Sequence, residues 1–299
     1  MRILLVDGHY YLYRSFFAIR GLTNSRGEPT NAIFGFSKAF RKMLSDVRPT
    51  HAAVIWDSGL PERRKSLQPA YKQNRPPMPD EMRAQEDWLQ TNVPLFGAAS
   101  LWVENTEADD LIASYALEAL RAGGGAVIAT NDKDIYQIVR PGIAIYSTAK
   151  ADVGTAGHAL LGPGEVRAKW GVDPSQIADV LALTGDSSDN IPGVEGVGTK
   201  TAAKLVSAFG SVANLLGNVD AVKPDTLRQK VRAAREVIEA NRRMVALDND
   251  LPLPVPLSDL VVRPRYPELI EALRACEFKS LVADVEKEAG SSSGQGELF

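Results

Sequence analysis

Residues 184–202 read Thr-Gly-Asp-Ser-Ser-Asp-Asn-Ile-Pro-Gly-Val-Glu-Gly-Val-Gly-Thr-Lys-Thr-Ala, and two kinds of chemistry meet in them. Asp186 and Asp189 are three apart, so on a helical turn both carboxylates share one face. That suits a hard divalent cation, which takes oxygen ligands. Gly193, Gly196 and Gly198 then lead into Thr199-Lys200-Thr201-Ala202, the start of an apolar helical pattern. Glycines ahead of a helix expose backbone N–H groups where the helix dipole favours an anion. A candidate metal site therefore adjoins a candidate phosphate site. Each half alone is equally well explained as a turn or a helix connection. Fused in this order, they point to a site.

More acids should then stand at strand ends, where open α/β sheets gather ligands. Residues 2–6 (Arg-Ile-Leu-Leu-Val) form a short continuous apolar run, the mark of a central strand, and Asp7 ends it. Residues 52–56 (Ala-Ala-Val-Ile-Trp) repeat the pattern and end at Asp57. Residues 126–130 (Ala-Val-Ile-Ala-Thr) precede Asn131-Asp132-Lys133-Asp134. One strand-end aspartate is an ordinary turn residue; a series is not. In Thr106-Glu107-Ala108-Asp109-Asp110-Leu111-Ile112, Thr106 can cap a helix with Asp109 as its partner. That explains one acid. Glu107 and Asp110 are also three apart and face together, and three carboxylates within four residues repel unless screened. Residues 143–146 read as an edge strand.

Apolar periodicity predicts helices at 32–44 and 81–96. Between them, residues 58–80 carry five prolines and the cations Arg63, Arg64, Lys65, Lys72 and Arg75. With little apolar material to bury, this stretch reads as a mobile surface segment. As a basic arch it would hold single-stranded DNA, with Tyr71 stacking on a base. After about Trp170 helices dominate, at 175–184, 199–209, 211–216, 224–241 and 267–275, with a weak Leu-Pro strand pattern near 251–255. Lys200 and Lys204 recur on one side of a helix, suited to a duplex backbone.

These stretches resemble the bacterial 5′-nuclease family: the 5′→3′ exonuclease domain of DNA polymerase I, its stand-alone relatives and flap endonucleases. The resemblance covers about residues 1–285 and rests on Gly-Asp-x-x-Asp-Asn-x-Pro-Gly-Val-x-Gly-x-Gly at 185–198, Glu-Ala-Asp-Asp at 107–110, Asp-Lys-Asp at 132–134 and Tyr-Lys-x-x-Arg at 71–75. It implies an α/β fold, a central mostly parallel sheet flanked by helices in a PIN-like nuclease core over 1–170. A helical domain follows over 171–287, with a DNA-binding helix-hairpin-helix at about 184–210. It implies that Asp7, Asp57, Glu107, Asp109, Asp110, Asp132, Asp134, Asp186 and Asp189 ligate two or more Mg²⁺ ions, with Mn²⁺ able to substitute. Lys72, Arg75 and Arg14 become electrostatic clamps on the scissile phosphate. Tyr71, Arg64, Gly193, Gly196, Gly198, Thr199, Lys200 and Lys204 become DNA contacts, and K⁺ a ligand of the hairpin loop. The implied activity is metal-dependent hydrolysis of DNA with 5′ ends or 5′ flaps, in primer removal and repair. With no polymerase domain following, the chain is similar to a free-standing member.

The bulk numbers fit. A chain of 299 residues with 44% hydrophobic content is long enough for two domains. Its single cysteine, Cys276, permits no internal disulfide and reads as a packing residue in a reducing, cytoplasmic compartment. No signal peptide or membrane span is apparent, and a monomer is expected. The net charge of −3 does not exclude nucleic acid: of 37 acidic residues nine are candidate ligands, leaving 28 against 34 basic. Residues 288–299 read as a flexible Ser/Gly tail whose end, Gln295-Gly296-Glu297-Leu298-Phe299, resembles sliding-clamp-binding peptides through Gln295, Leu298 and Phe299. Two other readings stay open: a DNA-structure-binding protein without turnover, which a cleavage assay separates, and a ribonuclease acting on RNA–DNA hybrids.

Overall fold

Strand β1 (Arg2–Asp7) lies at the centre, and Ile3, Leu4, Leu5 and Val6 have no exposed surface. Such a strand must be covered on both faces, which is why its sequence is continuously apolar. In the computed structural model, which describes residues 1–149, 152 and 157–293, the sheet also contains β2 (His51–Ile55), β3 (Ala99–Leu101), β4 (Gly125–Ala129), β5 (Ile143–Ser147) and β6 (Ala159–Leu161). Their order is β3-β2-β1-β4-β5-β6; β1 to β5 are parallel and β6 is antiparallel to β5. The chain builds outward from β1 to β3, then crosses back to start β4 on the other side of β1. That reversal opens a crevice beyond the carboxyl ends of β1 and β4.

Ile3 and Leu5 face one core with helix α5 (Ala108–Arg121), while Leu4 and Val6 face the other with α1 (Gly8–Ala18) and α2 (Asn31–Val47). Each such side chain contributes about 1.5–3 kcal/mol through burial. Helix α3 (Glu62–Leu67) and helix α4 (Asp80–Asn92) follow β2. Helix α6 (Pro163–Trp170) leads into the second half: α7 (Ile177–Thr184), α8 (Thr199–Phe209), α9 (Val212–Gly217), α10 (Asp225–Ala233) and α11 (Arg235–Met244). The chain then returns to the first half. Ala52 N–H donates to the Leu260 carbonyl, and α12 (Tyr266–Ala275) and α13 (Lys279–Ser293) bury Leu269, Leu273, Leu281 and Val285 in the α2 core. Cys276 is buried there, as its packing role requires. Among the described residues no helix is long and apolar enough to cross a membrane.

Several expectations need correction. Residues 143–146 are not at the edge, because β6 pairs beyond them; β3 and β6 are three residues each, too short to leave a period. The helix expected at 81–96 ends at Asn92 and tightens into a 3₁₀ turn, since Pro94 has no N–H to continue it. The stretch 224–241 is two helices that part at Ala234. Residues 251–255 form no strand; Pro252 and Pro254 remove ladder donors, and Val255 instead bonds the Tyr115 hydroxyl. Residues 58–80 are anchored rather than free: Arg64 and Tyr71 are buried. Helix α13 runs through Gly290, so the first part of the expected tail is helical. Gln295, Leu298 and Phe299 lie outside the described residues.

The turn after α7 is held by two glycines. Gly185 has φ +64°, and a Cβ on Gly193 would meet the Thr184 carbonyl oxygen at 2.1 Å. Gly193→Ala should therefore cost about 1–3 kcal/mol or more. Gly198→Ala, which has open space, should cost under about 1 kcal/mol. Urea unfolding of both variants measures the contrast; equal losses would remove the close approach as the reason for Gly193.

Candidate active site

The crevice at the strand ends is a cavity of about 520 Å³. Asp7, Asp57, Asp109 and Asp132 line it, with Lys72 and Arg75 from the segment after α3 and with Tyr10 and Tyr13 from α1. Backbone geometry fixes the acids. Asp7 caps α1 by accepting the Tyr10 N–H at 2.9 Å, and its other oxygen accepts the Thr130 hydroxyl at 2.8 Å. Asp57 accepts the Ala108 N–H at 2.8 Å and so serves the first turn of α5. The helix begins after Glu107, not Thr106, whose hydroxyl is spent on the Glu104 carbonyl. Asp132 accepts the Asp134 N–H at 2.8 Å.

Like charges crowd here. Asp7 is pushed up to about 6 by burial and by the Asp57 charge. Asp109 is held well above the usual carboxylate range by burial, then by Asp132, Asp7 and Asp57. Burial raises Asp132 as well, and burial with Asp132 and Asp189 raises Asp134. The buried oxygens Asp109 Oδ1 and Asp134 Oδ1 have no hydrogen-bond partner. A buried carboxylate oxygen without a donor is costly, and here each belongs to a group already crowded by like charge. An all-oxygen set with such orphaned atoms fits a hard divalent cation. Among the described residues no three acidic, histidine or cysteine side chains stand in ready ligand geometry. Side-chain cations hold several of the acids instead.

Lys72 pairs with Glu107, and Arg75 pairs with Asp189. Tyr71 is not free to stack on a base: its hydroxyl lies 3.1 Å from Glu107 Oε1 and 3.2 Å from Asp189 Oδ2. Arg64 is not a surface DNA contact either; it is buried against Glu107 and Asp110. Glu107 and Asp110 do face together, toward that guanidinium. Asp186 and Asp189 diverge. Asp186 caps its own turn by accepting the Ser188 N–H at 2.9 Å and pairs with Lys133 at 2.9 Å, while Asp189 points to Tyr71 and Arg75. Arg14 lies outside the acid cavity, in a groove with Tyr11, Tyr146 and Thr148, and donates to the Thr148 hydroxyl at 3.3 Å.

A neighbouring cavity of about 720 Å³ is lined by Asp186, Lys133, Gly193 and Thr199, so the acid and glycine halves of 184–202 do share one space. Gly196 takes φ +73°, Gly198 caps α8, and Lys200 and Lys204 are exposed on that helix. Val194 and Val197 are buried and hold the hairpin to the core.

Residue patterns did not pick out His9, Glu86, Thr130 or Lys133. His9 accepts the Asp57 N–H on Nδ1 at 3.0 Å, which leaves Nε2–H to donate to Glu86 at 2.8 Å. This chain orients Asp57. Lys133 stands between two candidate acids, a position that could have marked it as their counter-charge.

The 5′-3′ exonuclease N-terminal resolvase-like domain family matches residues 2–171, and the 5′-3′ exonuclease C-terminal SAM fold family matches residues 172–268. Thermostable DNA polymerase I of Thermus thermophilus is 40% identical over 285 residues, 94% of this chain and 33% of that protein. DNA polymerase I of Rhizobium leguminosarum is 36% identical over 292 residues, 95% of this chain and 28% of that protein. The chain thus spans at most about a third of the length of these curated relatives. The structure of T5 5′-exonuclease with divalent metal ions (zinc) bound superposes with a TM-score of 0.66 at 18% identity, covering 96% of this chain and 98% of that one. The catalytic core of Rad2 in complex with DNA substrate does so at 0.56 and 18%, covering 92% and 87%. At these identities the structural likeness speaks to fold alone, but the two family matches run in order along nearly the whole chain. This chain therefore belongs to the 5′-3′ exonuclease family.

Proposed function

We propose that this chain hydrolyses phosphodiester bonds in DNA bearing 5′ ends or 5′ flaps, with divalent metal ions, as in primer removal and repair. The observation that carries the reading is the cavity at the sheet reversal, where crowded carboxylates, Asp109 with its unpartnered oxygen among them, share the lining with Lys72 and Arg75. Asp7, Asp109, Asp132 and Asp134 would hold the metal, with Asp57 and Glu107 beside them and Asp186 and Asp189 reaching in from the second half. When bound, Mg²⁺ supplies Lewis acidity, easing deprotonation of water and offsetting charge on the phosphate.

The chain's own groups do the rest. Arg75, with 47% of its side chain exposed, and the more enclosed Lys72 meet a phosphate entering the cavity and stabilise charge that builds on its oxygens. Tyr10 and Tyr13 line the same cavity, where an aromatic ring suits stacking on a terminal base. His9 holds Asp57 through the amide it accepts. Lys200 and Lys204 track a duplex backbone without reading sequence.

A 5′-flap duplex labelled at each end should be cut near its junction with Mg²⁺ and left intact with chelator. Tight binding without products, even with Mn²⁺, would sink the enzymatic reading. Asp132→Asn should lower cleavage at least about 100-fold while flap affinity stays near the parent's; near-normal turnover would remove Asp132 from the site. Without metal the unpartnered Asp109 carboxylate destabilises the fold. Asp109→Asn should therefore raise stability in chelator by about 1–3 kcal/mol, read as melting temperature, and should blunt the further rise that Mn²⁺ gives the parent. A drop in chelator would refute this account of Asp109. Lys200→Ala combined with Lys204→Ala should flatten the slope of log affinity against log salt by about 1.8; an unchanged slope would remove α8 from the duplex contact.

A further inference from the structure

Asp110 stands beside Asp109 in sequence but not in chemistry. Its side chain is 1% exposed, and both carboxylate oxygens are taken by Arg64: Nη1 donates to Oδ2 at 2.6 Å and Nη2 to Oδ1 at 2.8 Å. Oδ1 also accepts the Asp248 N–H at 2.9 Å. Asp110 does not line the acid cavity. Where Asp109 has an oxygen without a donor, Asp110 has three donors.

Arg64 is equally complete. A guanidinium has five N–H donors in a fixed fork. Here Nε donates to the Met244 carbonyl at 3.1 Å, Nη1 to Glu107 Oε2 and Asp110, and Nη2 to Asp110 and the Ala246 carbonyl at 3.2 Å. Met244 ends α11, so its carbonyl lies at the negative end of that helix dipole. Arg63 adds a bond to the Ala246 carbonyl at 2.8 Å. Arg64 therefore joins three bodies: α3, the acidic start of α5 and the end of α11. It engages Oε2 of Glu107 and leaves Oε1 to the Tyr71 hydroxyl and to Lys72, which lines the cavity.

We propose that Asp110 is the structural counter-ion of Arg64 rather than a metal ligand, and that Arg64 is a positioning residue that sets the orientation of Glu107. The proposal rests on the metal reading above. Its test is Mn²⁺ binding by titration calorimetry, well below each variant's melting temperature. Asp110→Asn should bind as many ions as the parent with similar affinity, whereas Asp109→Asn should lose an ion or bind far more weakly. Arg64→Lys keeps the charge but not the fork, so Mn²⁺ affinity should fall about 10- to 100-fold. An affinity unchanged in Arg64→Lys would reduce Arg64 to a stabilising residue and overturn the positioning role. An Asp110→Asn protein that loses ions as Asp109→Asn does would overturn the counter-ion assignment.

Stability gives an independent readout. Arg64→Met leaves a buried carboxylate unpaired and should lower the melting temperature by roughly 6–15 °C. Adding Asp110→Asn should recover about half of that loss, because the second change removes the stranded charge. Additive losses would refute the pair. If Asp110→Asn alone does not fold, the ion count of the double variant decides between ligand and counter-ion. A parent that binds no Mn²⁺ would refute the metal reading, while the stability cycle would still judge the pair.

Discussion

Carboxylates gathered where parallel strands end repel one another, and the rest of this structure answers that repulsion. Asp7 ends one strand and Asp132 follows another that pairs with it, so sheet geometry brings them to one crevice. Neither can retreat, because each is tied to backbone N–H groups or to Thr130. Charge of one sign in a fixed, half-dry space must be met by cations. Where side-chain cations reach, at Glu107, Asp110, Asp186 and Asp189, the acids are paired. Where none bonds, at Asp109 Oδ1 and Asp134 Oδ1, the oxygens stay unsatisfied. On the proposed reading, a metal ion completes these two oxygens.

The segment after α3 follows from the same constraint. It has too few apolar residues to pack by the hydrophobic effect, yet it is held down. Its Lys72 N–H donates to the Asp189 carbonyl at 3.1 Å, Asn74 to the Ser187 carbonyl at 2.8 Å, and Asn190 returns a bond to the Ala70 carbonyl at 2.8 Å. Together with the Lys72 and Arg75 ion pairs, these bonds close the segment over the turn that carries Asp186 and Asp189. Acids and arch are parts of one electrostatic unit.

This explains what could be read from residue order and what could not. β1, β2 and β4 were legible because burial on two faces leaves a continuous apolar run, and the acids after them were legible as a series. β3 and β6 were not, since three residues cannot express a period. Arg64 and Tyr71 looked like surface residues because their burial is caused by partners far along the chain: Glu107 lies 43 positions from Arg64, and Asp189 lies 118 from Tyr71. No local pattern encodes such a partner. The resemblance puts Arg14 near the scissile phosphate, but it follows Tyr13 on α1. One helical residue turns it about 100° away, from the acid cavity that Tyr13 lines to the Thr148 groove.

The acids of the second half join the site only if that half is docked. Buried Asn241 on α11 donates to the Ala182 carbonyl at 3.0 Å and to the Pro192 carbonyl at 2.6 Å, binding α11 to α7 and to the turn that leads into the hairpin. Arg63 and Arg64 hold the far end of α11 against α5. The turn with Asp186 and Asp189 is thus gripped from the arch on one side and through α11 on the other. It runs directly into Gly193, Gly198 and α8, where Lys200 and Lys204 face solvent. Helix α8 is therefore connected to the acids through a short, glycine-pinned turn rather than a flexible linker. On the proposed reading, grip and chemistry share one connected path, so a change that loosens the turn should disturb both, even where it touches neither DNA nor metal.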